Sequence, residues 1–172
     1  MSKAWYVLQV LTGKELDIKD YCNKYGVIAL VPMRLLQERR RGKWQNIKKV
    51  LMPGYVFINT DIKMDSWKNY YVLSETSGVV RFLKGANNEP ETITEDEMGI
   101  IFALIDNKDL IGISEVVVEG DKIKVISGAL CGYEGRIQSI NARKHRAKVL
   151  ISVAGKDKTI ELAINQVKKS ES

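Results

Sequence analysis

The chain has 172 residues, 45% of them apolar and 28% charged, enough for one medium domain or two small ones with a buried core. Its net charge is +6 and it contains no run of about 18 uncharged apolar residues, so a membrane span is excluded and a cytoplasmic location is expected. Two distant cysteines, Cys22 and Cys131, and a single histidine, His145, exclude a zinc cluster or disulfide framework. The cysteines read as small buried hydrophobes, and His145 as an exposed residue of a basic turn.

In chain order, "WYVLQV" (residues 5–10) reads as a first strand buried on both faces, and not as a signal peptide. "TGKE" offers a capping box in which Thr12 and Glu15 exchange bonds. Ile18, Tyr21, Cys22 and Tyr25 then form one apolar helical stripe, stopped at Gly26. Two strands turning at Gly42 follow, and after Pro53-Gly54 a further strand covers residues 55–59. A short helix is expected over 65–71 and a strand over 79–83. "TEDE" at Thr94 is a second capping box, ahead of Met98, Ile101, Phe102 and Ile105 on one helix face.

Beyond Val118 the helical period disappears. Short alternating strands recur at 122–126, 136–140, 147–153 and 158–162, separated by turn signals. The fold class is therefore α+β. Residues 1–106 form an α/β sandwich, 107–117 a linker and 118–172 a small five-stranded all-β barrel.

Charge is strongly segregated. Residues 34–49 carry seven Lys/Arg and one Asp/Glu, residues 50–119 five and twelve, and residues 120–172 eleven and five. Two basic blocks around an acidic middle point to a polyanionic partner. The first block holds Arg34, Arg39, Arg40, Arg41, Lys43, Lys48 and Lys49 on the expected hairpin, with Trp44 near its tip. Cations neutralise phosphates and an indole stacks on an unpaired base; the alternative is a solvated hairpin whose charges block strand pairing. The second block, "NARKHRAK", holds Arg143, Lys144, Arg146 and Lys148, either as an RNA-facing patch or as a solvated turn.

No phosphate loop, nucleophile elbow or metal-ligand spacing is present, and the acidic "EPETITEDE" is a helix entry favoured by the helix dipole. The expectation is a protein without enzymatic activity, metal or cofactor.

Gly120, Gly128, Gly132 and Gly135 punctuate "EGDKIKVISGALCGYEGRIQSINARKHRAKVLIS", which resembles the KOW motif of ribosomal proteins and transcription elongation factors. Together with "WYVLQVLTGKE", "PGYVFI", "SETSGVVRFL", "PETITEDEM" and "IELAINQVKK", in that order, the whole chain resembles the NusG family. The resemblance implies an NGN-type domain followed by a KOW, SH3-like barrel.

It also implies that bacterial RNA polymerase is the partner. The clamp-helix surface would fall on Met52, Pro53, Gly54, Tyr55 and Phe57, with Trp67 and Phe82 nearby, and a gate-loop contact on Asn69 and Tyr70. Phe57 and Phe82 read equally well as plain core. Two departures stand out: Ala129-Leu130 replaces the family's Pro-Phe, and Ala154 replaces an aromatic on the surface that docks Rho or a ribosomal protein. The chain is most similar to the LoaP group of specialised paralogues, which act as processive antiterminators on particular operons. The expected protein is a monomer recruited by RNA or an exposed DNA strand, with at most a weak ribosomal contact through the barrel. The alternatives are a general elongation factor of the family, or a ribosome- or RNA-binding KOW protein without polymerase contact.

Overall fold

The computed structural model describes residues 3–62 and 73–168. Its elements are β1 (Ala4–Val10), α1 (Glu15–Lys24), β2 (Ile28–Leu30), β3 (Met33–Arg40), β4 (Lys43–Val50), β5 (Tyr55–Thr60), β6 (Val79–Phe82), α2 (Glu95–Leu104), β7 (Leu110–Ile111), β8 (Ser114–Glu119), β9 (Lys122–Ser127), a 3-10 turn (Glu134–Arg136), β10 (Ile137–Asn141), β11 (Arg146–Val153) and β12 (Lys156–Gln166). The class is α+β, as the pattern of the sequence implies. The helix expected over 65–71 lies outside the described residues.

The chain divides into two compact units. The first comprises Met1–Val31, Met52–Met98 and Val153–Gly155; the second comprises Pro32–Leu51, Gly99–Ser152 and Lys156–Ser172. The β3–β4 hairpin therefore groups with the KOW-like strands. The stretch expected as linker supplies β7 and the start of β8.

In the first unit an antiparallel sheet has the order β2-β5-β1-β6. Val7 lies opposite Phe57, and Phe57 opposite Leu30. Because side chains alternate across a strand, these three share one face. Tyr6, Leu8, Val56, Ile58 and Phe82 are buried as well, so β1 and β5 are buried on both faces along most of their length. The Tyr6 and Phe82 rings meet edge to face at 6.2 Å.

The two expected capping boxes part company. At α2 the Glu97 N–H donates to Thr94 Oγ1 (3.1 Å) and the Thr94 N–H to Glu97 Oε1 (3.0 Å), the reciprocal pair. At α1 Thr12 does not cap. Gly13 takes φ +96°, so the helix starts only at Glu15 after a turn. The buried Glu15 carboxylate accepts from the Gly13 N–H (3.0 Å) and from the Gly54 N–H (2.9 Å). The helical stripe is likewise narrower than expected: Ile18 and Cys22 are buried, but Tyr21 and Tyr25 are exposed and pack on each other at 4.7 Å. Positions 15, 18 and 22 already define the inward face, and Tyr25 lies at the helix C-cap.

The second unit contains a curled sheet of order β10-β11-β12-β8-β9 and a three-stranded sheet of order β4-β3-β7. In β11 the alternation is regular: Ala147, Val149, Ile151 and Val153 are buried between more exposed neighbours. Leu36 of β3 is buried too, and β3 packs beside β12. The β3–β4 hairpin closes on Arg41 (φ 52°) and Gly42 (φ 76°), a two-residue turn with both residues left-handed, which matches the strand twist. Gly128, at φ +100°, lets its loop pass against the Ile113 carbonyl and Ser114. Cys131, expected to be buried, is exposed in that loop, whereas its neighbour Leu130 fills the core and donates its N–H to Ser114 Oγ (2.9 Å).

Candidate functional site

The Pro53–Gly54 turn is fixed from two sides. Gly54 donates to Glu15 Oε1, and its carbonyl accepts from the Val10 N–H at 2.8 Å. Its φ of +83° and a Val10 carbonyl oxygen 3.3 Å from where a Cβ would lie explain the glycine. Beyond the turn, Pro53 is exposed and Tyr55 half-buried, whereas Met52 is 6% exposed and Phe57 and Phe82 are fully buried. Of the residues implied by resemblance, Pro53 and Tyr55 thus present surface, while Met52, Phe57 and Phe82 support it from the core. Tyr55 lies opposite Gln9, which accepts from Arg81 Nε at 2.8 Å. Leu11, 57% exposed, follows the β1 residue bonded to Gly54 and adds an apolar side chain that sequence patterning does not single out. Trp67, Asn69 and Tyr70 lie outside the described residues.

The basic residues of the second unit fall into two groups. Glu38 gathers one of them. Its carboxylate lies 2.7 Å from Lys49 Nζ, 3.4 Å from Arg40 and 3.6 Å from Arg146. The Lys49 hydrogen bond, reinforced by Arg40, holds the Glu38 carboxyl below the usual range. Arg146 also bonds Glu161 Oε2 at 3.0 Å. Arg34 donates to the Glu161 backbone carbonyl at 2.7 Å, and burial lowers its guanidinium pKa. These cations join the hairpin to β11 and β12.

The other group is solvent-facing: Arg39, Arg41, Lys43, Arg143, Lys144 and Lys148 are exposed and have no ion-pair partner among the described residues. Lys48 is exposed and lies near Asp106. Backbone N–H bonds from Lys108 (2.8 Å) and Leu110 (3.0 Å), with smaller contributions from the Lys108 and Lys48 charges, hold Asp106 below the usual carboxylate range.

His145 departs most from expectation. It is half-buried, in the left-handed region (φ 56°), with its ring stacked on Trp44 at 3.9 Å and 15°. Its Nδ1 lies 2.9 Å from Gln37 Oε1. Two basic segments widely separated in sequence thereby meet. Nothing local in either segment marks this pairing, because it depends on where β3 packs.

A compact α/β unit with an anchored Pro-Gly turn, and a second unit in which a basic hairpin joins a curled β-sheet, are the features to set beside known proteins. The family described as "Transcription termination factor nusG" matches residues 3–102. The protein named "Transcription termination/antitermination protein NusG" of Rickettsia typhi is 31% identical, over 98% of this chain and 91% of its own length. The protein of the same name in Thermus thermophilus is 29% identical, over 99% and 100%. A solved structure described as "Domain interaction in Thermotoga maritima NusG" shares the fold with a TM-score of 0.53 at 21% identity, covering 95% of this chain and 94% of that one. The chain belongs to the NusG family.

Proposed function

We propose that this protein rides on bacterial RNA polymerase as an elongation and processive antitermination factor, recruited to particular operons by nucleic acid. The polymerase clamp helices would dock on the surface around Pro53, Tyr55 and Leu11, and a gate-loop contact would come from Asn69 and Tyr70. Contacts on both sides of the cleft would hold the clamp closed and disfavour the pauses that precede termination. The observation that carries the recruited reading is the set of exposed cations on the hairpin and on the 142–145 turn that have no ion-pair partner among the described residues, gathered on one unit by the Trp44–His145 stack. A general elongation role is the second reading, favoured by full-length relatives named for termination and antitermination. Ala154 supports weak engagement of Rho or a ribosomal protein, since a methyl group stands where the family carries an aromatic.

Single-round transcription through an intrinsic terminator tests this reading, on one template with the native leader and another with a scrambled leader. Readthrough on the native leader alone is expected. Equal readthrough on both would replace the recruited role with the general one, and no effect on either would overturn polymerase action altogether.

A further inference from the structure

Trp44 is 42% exposed although His145 stacks on it, so the indole retains open surface. The imidazole is not free to swing away, because Gln37 engages its Nδ1 and the 142–145 turn carries it on a left-handed backbone. The pair is therefore a preset two-ring platform whose ordering cost is met by the fold, not by a ligand. Cations frame it on both sequence segments: Arg39 is the cross-strand partner of Trp44, Arg41 lies in the hairpin turn and Lys43 directly after it, and Arg143 and Lys144 precede His145. Against His145 also opens a cleft of about 680 Å³, lined by Val117, Val118, Asn165, Gln166 and Lys168 among others. Apolar walls suit a base face, and carboxamides donate and accept as base edges require.

We infer that the Trp44–His145 platform and the adjoining cleft form one composite site for unpaired nucleotides, built jointly by the hairpin and the KOW-like sheet. This rests on the nucleic-acid reading above and sharpens it. One base stacks on the exposed indole, its neighbour enters the cleft, and the flanking cations hold the phosphates. A duplex keeps its bases stacked on each other and offers such a platform only its backbone. The cations tied to Glu38 and Glu161 shape the site without needing to touch the strand.

The test uses the full chain with fluorescently labelled oligonucleotides of about twelve nucleotides: single-stranded RNA, single-stranded DNA of the same sequence, and duplex DNA. Single strands are expected to bind more tightly than duplex, with RNA or DNA preference naming the strand. Trp44→Ala should weaken binding about five- to hundredfold, and Trp44→Phe should keep most of it. Replacing Arg143 and Lys144 with Ala should cost about tenfold and flatten the log K against log salt slope by about 1.4. Thermal unfolding at the wild-type midpoint confirms that each variant is folded. Equal binding of duplex, or an unchanged affinity in either variant while an Arg39→Ala, Arg41→Ala pair still weakens binding, would overturn the composite site yet leave nucleic-acid binding by the hairpin. No binding of any probe by the wild type at low salt would remove both.

Discussion

Glu38 of β3 and Arg146 of β11 lie 3.6 Å apart, and the same carboxylate also holds Lys49 and Arg40. One acidic side chain thus keeps three cations directed at the hairpin–sheet junction. Glu38→Gln releases them and removes the only acidic residue of segment 34–49. Nucleic-acid affinity should rise several-fold at low salt, while the thermal midpoint falls. Because the folded-state Glu38 pKa is lowered, its contribution is present above the ordinary Glu range and is lost as pH falls through the lowered value. The wild type should therefore lose stability relative to Glu38→Gln in acid, below about pH 4. Parallel pH–stability curves for the two proteins would remove the ion cluster as a determinant.

Neighbouring aromatics on β5 should behave differently. Phe57 is fully buried between Val7 and Leu30, so Phe57→Ala should cost about 3–5 kcal/mol in urea unfolding. Tyr55→Ala, at a half-buried position, should cost far less stability and yet abolish polymerase binding in a pull-down. Retained binding by a folded Tyr55→Ala protein would relocate the docking surface.

Glu15 couples α1 to the Pro53–Gly54 turn. Glu15→Ala leaves the Gly13 and Gly54 N–H groups without their acceptor, at a cost of about 1–3 kcal/mol. Hydrogen exchange should quicken at Gly54 more than at β1 amides; uniform quickening would mean that the bond does not hold the turn specifically.

Gly128 and Gly132 separate conformational from steric demand. Both have positive φ, but a Cβ at Gly132 meets nothing within 4 Å, whereas one at Gly128 lies 2.6 Å from Ser114 Cα. Gly132→Ala should cost about 1 kcal/mol, and Gly128→Ala about 2 kcal/mol or more, since backbone must move. Equal midpoints in denaturant would contradict the close approach.

Thiol labelling at pH 8 should proceed at Cys131 and stall at Cys22. Burial pushes the Cys22 thiol up to about 11, while Cys131 is exposed. One fast equivalent per chain is expected, and it should vanish in Cys131→Ser.

Much of this fold is legible where the signal is local. The alternation of β11, the reciprocal Thr94–Glu97 cap and the glycine-bounded strands follow from side-chain period and backbone sterics. The same reasoning misplaces the Thr12 cap, because Gly13 relaxes into a left-handed turn that a T-x-x-E pattern does not reveal. The basic hairpin is visible as composition, but the division of its cations is not. Which arginines point outward depends on Glu38, Glu161 and the packing of β3 beside β12, contacts that cross the whole sequence. The His145 stack is the extreme case: a residue that reads as solvent-exposed gains its surroundings from Trp44 and Gln37.

The parallel pairing of β8 with β12, Ser114 beside Ile164, also sets an order of events during synthesis. When β8 and β9 leave the ribosome they can close only their own antiparallel hairpin, and an isolated hairpin is marginal in water. The inner edge of β8 then stays open until β9, β10 and β11 have been made and β12 arrives. That interval is one of slow, non-local folding with an unsatisfied strand edge, so trigger factors and other nascent-chain chaperones have most to protect just before β12 emerges.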